Sequence, residues 1–519
     1  MLFNSVQFIF LFLPLTLILF FTVARYSHRA AAGLLTLASL IFYATWRIEF
    51  LPLLLASILG NFLIGQRILA ARLPKPGIAQ GWLVLGIVAN LLLLGWYKYA
   101  GFFAVNLQTL TGWPHEALSI MLPLGISFFT FTQIAYLVDA RRGFVDESVA
   151  TGSRLTHYAL FVSYFPHLIA GPILHHREMM PQFAQPRTYR CSWENLAVGL
   201  TIFAIGLFKK AVIADALAPY VNAGFDQAAQ GHAQGLAAAW LSVIAYSLQI
   251  YFDFSGYSDM AIGASRLFGI HLPLNFNSPY RAASIIDFWK RWHMTLSRFL
   301  RDYLYIPLGG NRHGAARRYV NLMVVMLLGG LWHGAGWTYV IWGGLHGLYL
   351  VVNHLWRQGR GAPAATTGLG RFGAQLLTYL AVVVAWTFFR ADDVATAGHL
   401  LAGMTGQYGL GLVDESTLHL VALCLPLLLI AWFAPNSQQI MAQYHVAPYE
   451  KAAGPASPAS GLTSSPTSTP ASTPAPIAAP WWQWRPDWRH GLVFSAGFAV
   501  ALYLIIFTHR ISDFLYFQF

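Results

Sequence analysis

The sequence is poor in charge and in cysteine, and each shortage excludes a class of protein. Charged residues make up 10% of the 519 residues, against roughly 25% in soluble domains, which excludes a water-soluble globular protein. The two cysteines, Cys191 and Cys424, show no paired spacing, so neither a disulfide framework nor a thiolate metal site is predicted. We therefore expect no bound metal.

Acidic residues are also scarce, with 20 Asp and Glu against 32 Lys and Arg and a net charge of +12. A basic balance can indicate nucleic-acid binding, but no soluble domain here is large enough to carry it, so no nucleic-acid partner is expected. In a polytopic membrane protein the excess marks cytoplasmic loops and contact with anionic headgroups. Membrane lipid is accordingly an expected partner.

Long apolar runs dominate what is present: 56% of the residues are hydrophobic and the mean hydropathy is +0.52. The first run, within residues 1–29, lacks a basic leading segment and a cleavage site, which indicates a transmembrane helix rather than a signal peptide. Further runs that nearly or fully cross about 30 Å of hydrocarbon lie near 31–46, 51–66, 82–97, 117–138, 156–174, 196–216, 234–252, 320–334, 337–356, 372–390, 417–434 and 491–508. The predicted fold is all-α, a polytopic transmembrane protein of about 11–13 helices with re-entrant segments.

Three segments are predicted along the chain. Residues 1–440 form a membrane core, residues 491–519 hold a last transmembrane helix, and 441–490 join the two. The joining segment is rich in Pro, Ser, Thr and Ala, a composition typical of a disordered linker, on either side of the membrane. Basic residues are densest from Arg281 to Arg318, which predicts a cytosolic position there and an external N-terminus.

The first candidate histidine, His293, lies in an aromatic and basic stretch. On a helix over 285–304 it falls at the edge of the apolar face, which predicts an amphipathic helix at the cytoplasmic interface. His293 is then either a structural core histidine or part of a site. The opposite face binds lipid headgroups or a phosphorylated donor through Lys290, Arg291, Arg298 and Arg301.

The second candidate, His333, lies in the apolar sequence LLGGLWHGAGW. An ionisable side chain at membrane depth usually faces a cavity or pathway, and imidazole exchanges a proton near neutral pH. A general base that activates a hydroxyl is one interpretation; a structural or transport role is the other. His346 has a similar but weaker claim.

Polar residues interrupt two other apolar stretches, YFDFSGYSDMAIG and SYFPHLIAGPILHHRE. Such interruptions predict broken or re-entrant helices that line a cavity. Asp253 or Asp259 either orients a histidine or caps a helix. The residues predicted to orient groups or line the site are Asp253, Ser255, Asp259, Asn275, Tyr305, Trp332 and His346.

Three longer motifs carry a family resemblance: FDFSGYSDMAIG, NFNSPYRAASIIDFWKRWHMTLSRFLRDYLYIPLGGNR and LLGGLWHGAGWTYVIWGGLHG. With them the chain resembles the membrane-bound O-acyltransferases over roughly residues 1–435, and most of all the bacterial branch that acts in alginate and cellulose O-acetylation. The resemblance implies a ring of helices around a central tunnel, with His333 as catalytic histidine and His293 as the second histidine.

The resemblance also implies the reaction and its setting. The expected protein is a multi-pass O-acetyltransferase of the bacterial inner membrane, with cytosolic acetyl-CoA as donor substrate and no permanently bound cofactor. Expected partners are a periplasmic acetyltransferase or other exopolysaccharide-modification subunits.

Several alternatives stay open at this point. Direct transfer with His333 as base competes with an acyl-enzyme on Ser255 or Ser258. A transporter or flippase, or a scaffold subunit without chemistry, is the rival outside the enzyme class. Within that class the sequence does not separate acetyl from D-alanyl or longer acyl groups, or alginate from cellulose or another exopolysaccharide.

Overall fold

The computed structural model describes residues 1–112, 120–145, 151–360, 367–411, 415–444, 480–508 and 514–515. The described residues are helical and contain no strand. The α-helices are α1 Leu13–Ala24, α2 His28–Ala44, α3 Leu51–Ala71, α4 Pro76–Leu94, α5 Ala100–Thr111, α6 Ile126–Arg142, α7 Thr151–Ser163, α8 Phe165–Leu168, α9 His176–Phe183, α10 Trp193–Phe208, α11 Asp215–Ala229, α12 Leu236–Leu267, α13 Ile285–Trp289, α14 Met294–Leu300, α15 Gly314–His333, α16 Trp337–Arg360, α17 Gly368–Arg390, α18 Val394–Met404, α19 Glu415–Phe433, α20 Ser437–Ile440 and α21 Trp488–Phe507. Single π-helical turns occupy Phe8–Phe12, Gly95–Tyr99, Lys209–Ala214 and Arg301–Tyr305.

Seven stretches of the described residues are long and apolar enough to cross a membrane: Ile48–Ala71, Pro76–Thr111, Trp193–Ala229, Leu236–Leu267, Gly368–Arg390, Glu415–Phe433 and Trp488–Phe507. Shorter apolar helices cover Phe8–Ala24, His28–Ala44 and Val394–Met404. The prediction of an all-α, multi-pass membrane protein is confirmed. The total of 11–13 spans stays a prediction. Most of the predicted linker, residues 445–479, lies outside the described residues.

Helix α12 runs unbroken for 32 residues through the FDFSGYSDM motif, so the predicted break there is wrong. Its polar side chains are accommodated because neighbouring helices supply charged partners. Its glycines also serve packing: a Cβ on Gly206 of α10 would lie 2.5 Å from the Gly256 carbonyl oxygen of α12. The second predicted interruption is present, since α7, the short α8 and α9 are separated by irregular backbone.

The described hydrophobic residues form two cores. The first is built mainly from the N-terminal half and includes Trp332. The second is built mainly from α11 to α19 and includes Trp292 and Trp342. Helix α12 contributes to both cores, and the chain passes from one to the other next to each candidate histidine. The two histidines therefore lie along the seam between the cores.

Candidate active site

The structure brings the two predicted histidines together. The ring centroids of His293 and His333 are 6.4 Å apart at an interplanar angle of 60°. Both side chains are buried, with 0% and 5% of their surface exposed. Trp332 packs beside both, with centroid distances of 6.3 Å to His293 and 5.0 Å to His333. The two imidazoles therefore form one buried pair in the seam between the cores.

His293 lies in a break of the chain, so the prediction of one continuous helix over 285–304 is wrong. α13 ends before it and α14 begins after it, and His293 has a φ of 43°. This left-handed conformation is uncommon for residues other than glycine and is found most often where surrounding contacts hold it. One such contact is the Met294 N–H, which donates to the Asn275 carbonyl oxygen at 2.9 Å.

The Asn275 side chain determines which nitrogen of His293 carries the proton. Its Oδ1 accepts from the backbone N–H of Thr295 at 3.3 Å and from the Thr295 hydroxyl at 2.9 Å. Because a backbone N–H can only donate, the facing amide atom is the oxygen. Nδ1 of His293, 3.0 Å from the same oxygen, must then donate as well. Neutral His293 therefore has its lone pair on Nε2 and offers the site an acceptor.

We expect Asn275→Leu to lower turnover by roughly 10- to 100-fold. The substitution removes the acceptor that holds both the His293 tautomer and Thr295, while the size of the side chain is nearly kept. Asn275→Asp keeps an oxygen at the same place and should stay within a few-fold of wild type. The measurement is kcat for thioester consumption by protein in nanodiscs. Equal losses in the two variants would contradict the tautomer argument.

His333 is the last residue of α15. A lysine of the π-helical turn between α4 and α5 forms hydrogen bonds with this end of the helix. Nζ of Lys98 donates to the carbonyl oxygens of Trp332 at 2.5 Å and His333 at 3.1 Å. The Tyr99 hydroxyl donates to the Leu331 carbonyl at 2.9 Å. A cation at a helix C-terminus stabilises the free carbonyls there. The sequence analysis missed Lys98, although one lysine inside the apolar run GWYKYAGFF is itself a signal.

A large cavity of about 670 Å³ opens next to the chain segment that follows His293. Its lining includes Met294 and Thr295, the two residues that follow His293. It also includes four of the residues predicted from sequence, namely Lys290, Arg298, Arg301 and Tyr305. Arg298 forms an ion pair with Glu178, another lining residue. The cavity wall is thus apolar with a surplus of cationic side chains.

Arg291, also predicted as a phosphate ligand, does not line the large cavity. It pairs instead with Asp287 at 2.9 Å, one helical turn earlier. The charge of this side chain is therefore already engaged outside the cavity. Only part of the predicted basic face is available to a ligand there.

A second, smaller pocket lies against His333 and has no lining residue in common with the large cavity. We call it the far pocket. Its volume is about 80 Å³, and its lining residues are Trp46, Lys98, Leu122, Pro123, Leu124, Gly125, Ile126, Ser127, Phe128, Ile169, Trp332 and His333. The segment that follows His293 thus borders a large, basic cavity, and His333 borders a separate small pocket.

The carboxylates of Asp253 and Asp259 bind lysines and not a histidine, so the orienting role is wrong for both. Lys210 Nζ lies 2.6 Å from Asp253 Oδ1, and Lys209 Nζ lies 2.7 Å from Asp259 Oδ2. Both lysines belong to the π-helical turn that faces α12. A π-turn places successive side chains differently from an α-helix, which lets neighbouring lysines reach two acids six residues apart.

The remaining predicted residues fall into two places. Ser255 is buried on α12 and lines a small polar pocket together with Asn275 and Asp259. His346 is buried behind His333, with ring centroids 4.8 Å from Trp342 and 5.2 Å from Trp289. Across the described parts of the chain, no group of three or more His, Cys, Asp or Glu is arranged to hold a metal ion.

Comparison with known proteins decides the family. Residues 145–374 match the model of MBOAT, the membrane-bound O-acyltransferase family. A peptidoglycan O-acetyltransferase of Helicobacter pylori is 45% identical over 438 residues, which cover 80% of this chain and 82% of that protein.

The chain belongs to the membrane-bound O-acyltransferase family.

Other relatives show the breadth of this similarity. The probable alginate O-acetylase AlgI of Pseudomonas aeruginosa is 39% identical over the full length of both proteins. A teichoic acid D-alanyltransferase of Bacillus subtilis is 30% identical over 46% of this chain and 59% of that protein. The family resemblance predicted from the motifs is therefore confirmed, and this membrane-bound O-acyltransferase is an enzyme that transfers acyl groups.

Proposed function

We propose that this membrane-bound O-acyltransferase transfers acetyl from cytosolic acetyl-CoA, across the bacterial inner membrane, for O-acetylation of an exopolysaccharide such as alginate or cellulose. The observation that carries the proposal is the pair of buried histidines, with a large, basic cavity bordering the segment that follows His293 and a separate small pocket bordering His333. The large basic cavity suits a phosphorylated donor, and the far pocket, bordered by His333, suits an acceptor hydroxyl. The names of the relatives from H. pylori and P. aeruginosa support acetyl as the acyl group and a polysaccharide as the final acceptor.

In the proposed reaction His333 acts as general base. It takes the proton of the acceptor hydroxyl while the hydroxyl oxygen attacks the thioester carbonyl carbon. The tetrahedral intermediate then breaks its C–S bond, and the CoA thiolate leaves with the proton held by His333. The products are the acetyl ester and CoA thiol, and these steps use neither a protein thiol nor a metal ion. A periplasmic acetyltransferase or another subunit of the modification machinery receives the acetyl group or presents the acceptor.

The first test follows free CoA from acetyl-CoA, using purified protein in nanodiscs with and without the periplasmic partner and polymer. CoA release that needs the acceptor supports the proposal. Absence of release under every condition contradicts it and favours a transporter, a flippase or a scaffold subunit. Labelled acetyl retained covalently on the protein without acceptor would instead indicate an acyl-enzyme. If the protein releases thiol from a D-alanyl thioester but not from acetyl-CoA, the transferred group is D-alanyl, as the name of the B. subtilis relative states for that protein.

We expect Lys290→Gln and Arg301→Gln each to raise the KM for acetyl-CoA by about 5- to 10-fold at low salt, with kcat little changed. Each substitution removes one cation from the cavity wall, and a charge contact near solvent contributes about 1 kcal/mol. Added salt should narrow the difference from wild type by screening. Steady-state kinetics at two ionic strengths provides the measurement.

Arg291→Gln is the matched control for these two variants. It makes the same change on the same segment but outside the cavity. Arg291 pairs with Asp287 at 2.9 Å much as Arg301 pairs with Asp302 at 2.7 Å, so the two arginines differ in position and not in having an acidic partner. Its KM should stay at the wild-type value. A KM increase equal to that of the cavity variants would show that the effect is a general surface charge effect and not donor binding.

A further inference from the structure

Polar atoms without hydrogen-bond partners gather between the large cavity and His333. Within the described part of the chain, no partner lies in reach of either ring nitrogen of His346 or of the indole nitrogens of Trp342 and Trp289. His346 is 0% exposed and Trp342 is 1% exposed. Their rings contact one another, and the centroids of Trp289 and Trp342 are 5.9 Å apart. Trp386, which stacks on Trp342 at 5.8 Å, also has an indole nitrogen without a partner among the described residues, so four neighbouring side chains share the same lack of a hydrogen-bond partner.

Such groups are rarely left unpaired in a protein interior. An indole N–H is a donor only, and neutral imidazole has one donor and one acceptor. The cluster therefore holds more donors than acceptors. An oxygen atom with free lone pairs would give the remaining donors a partner. Neutral His293 adds no further donor to the cluster, because its Nδ1 proton is already bound to Asn275.

The position of the cluster indicates which oxygen this is. Trp289 lines the large cavity, and Trp342 lies 5.1 Å from His333 at an interplanar angle of 85°. A chain that enters from the cavity and ends at His333 passes both indoles. The reacting carbonyl must lie near His333, and Trp342 is the donor of the cluster that contacts this histidine.

We propose that Trp342 is a catalytic residue whose indole N–H donates to the carbonyl oxygen of the donor thioester, with His346 completing the same oxygen site. The inference rests on the proposed function, since it assigns the group that stabilises the oxyanion of that reaction. As the hydroxyl adds to the carbonyl carbon, the oxygen gains negative charge and the hydrogen bond strengthens. The bond weakens again when the C–S bond breaks, and no proton leaves Trp342.

The decisive variant is Trp342→Phe, which keeps a ring in place and removes only the N–H. We expect kcat to fall by about 10²-fold, as for removal of an oxyanion donor, with the KM for acetyl-CoA within about 3-fold because the cavity wall is unchanged. The matched control is Trp386→Phe. Trp386 is equally buried, stacks on Trp342 at 5.8 Å and 21°, and also has an indole nitrogen without a partner in the described part of the chain. It therefore reports the cost of losing a buried indole N–H next to Trp342, without removing the donor 5.1 Å from His333, and should stay within about 3-fold of wild-type kcat.

A second measurement detects the proposed hydrogen bond on the bound donor itself, without relying on turnover. In His333→Ala, where turnover is blocked, the infrared carbonyl band of bound ¹³C-acetyl-CoA should lie at the low frequency of a hydrogen-bonded thioester. Adding Trp342→Phe should move the band towards its position in an apolar solvent. An apolar position already in His333→Ala would overturn the inference, as would wild-type kcat in Trp342→Phe. Neither result would contradict the proposed function. Absence of CoA release from the wild type would contradict both the proposed function and the role of Trp342.

Discussion

Turnover of acetyl-CoA is expected to fall by about 10²- to 10⁴-fold in His333→Ala, the range that a general base contributes. The imidazole is the group that the structure places at the wall of the far pocket, beside His293 and at the end of α15. Without it an acceptor hydroxyl keeps its proton and attacks poorly. Free CoA released by protein in nanodiscs is the readout, with acceptor present.

The control for this prediction is His419→Ala. His419 lies on α19 with a side chain that is 64% exposed, so the same substitution there should leave turnover unchanged. Binding of acetyl-CoA to His333→Ala should also be retained, because His333 is not part of the large cavity's lining. Retention of more than a tenth of wild-type turnover would rule out His333 as the base.

The largest expected effect on folding comes from Lys210→Met. Lys210 is 1% exposed, and its Nζ lies 2.6 Å from Asp253 Oδ1 and 2.9 Å from Asp215 Oδ1. The substitution removes the ammonium that two buried carboxylates bind. Breaking a buried ion pair by deleting one partner costs about 3–5 kcal/mol. We therefore expect little monodisperse protein by size-exclusion chromatography and a large loss of thermal stability in what remains.

Two comparison variants separate charge from packing. Lys209→Met removes a neighbouring lysine that pairs with one carboxylate at 2.7 Å, where both side chains are more exposed, so its loss should be clearly smaller. Combining Lys210→Met with Asp253→Asn and Asp215→Asn removes the charges on both sides and should restore much of the yield. Failure of the triple variant to improve on Lys210→Met would point to packing and not to charge.

Much of the fold could be predicted from composition and apolar runs alone. A helix in hydrocarbon satisfies its own backbone hydrogen bonds, so a long apolar run can hardly adopt another structure there. The wrong helix predictions concern segments where tertiary contacts override the local sequence pattern. The polar residues of the FDFSGYSDM motif predicted a break, yet α12 continues because lysines from a facing turn pair with its acids. The pattern over 285–304 predicted one helix, yet pairing with the Asn275 segment interrupts it at His293.

The candidate site divides in the same way. The sequence by itself determined the membrane-spanning, all-α class and, through motifs of the membrane-bound O-acyltransferases, which histidines to consider, because these properties reside in single stretches of chain. Only the tertiary structure decided that His293 and His333 meet, that Asn275 holds one of them, and that Lys98 holds the end of α15 from 234 residues away in sequence. Contacts of that kind depend on how helices pack, and no local run of residues encodes the distance between two helices.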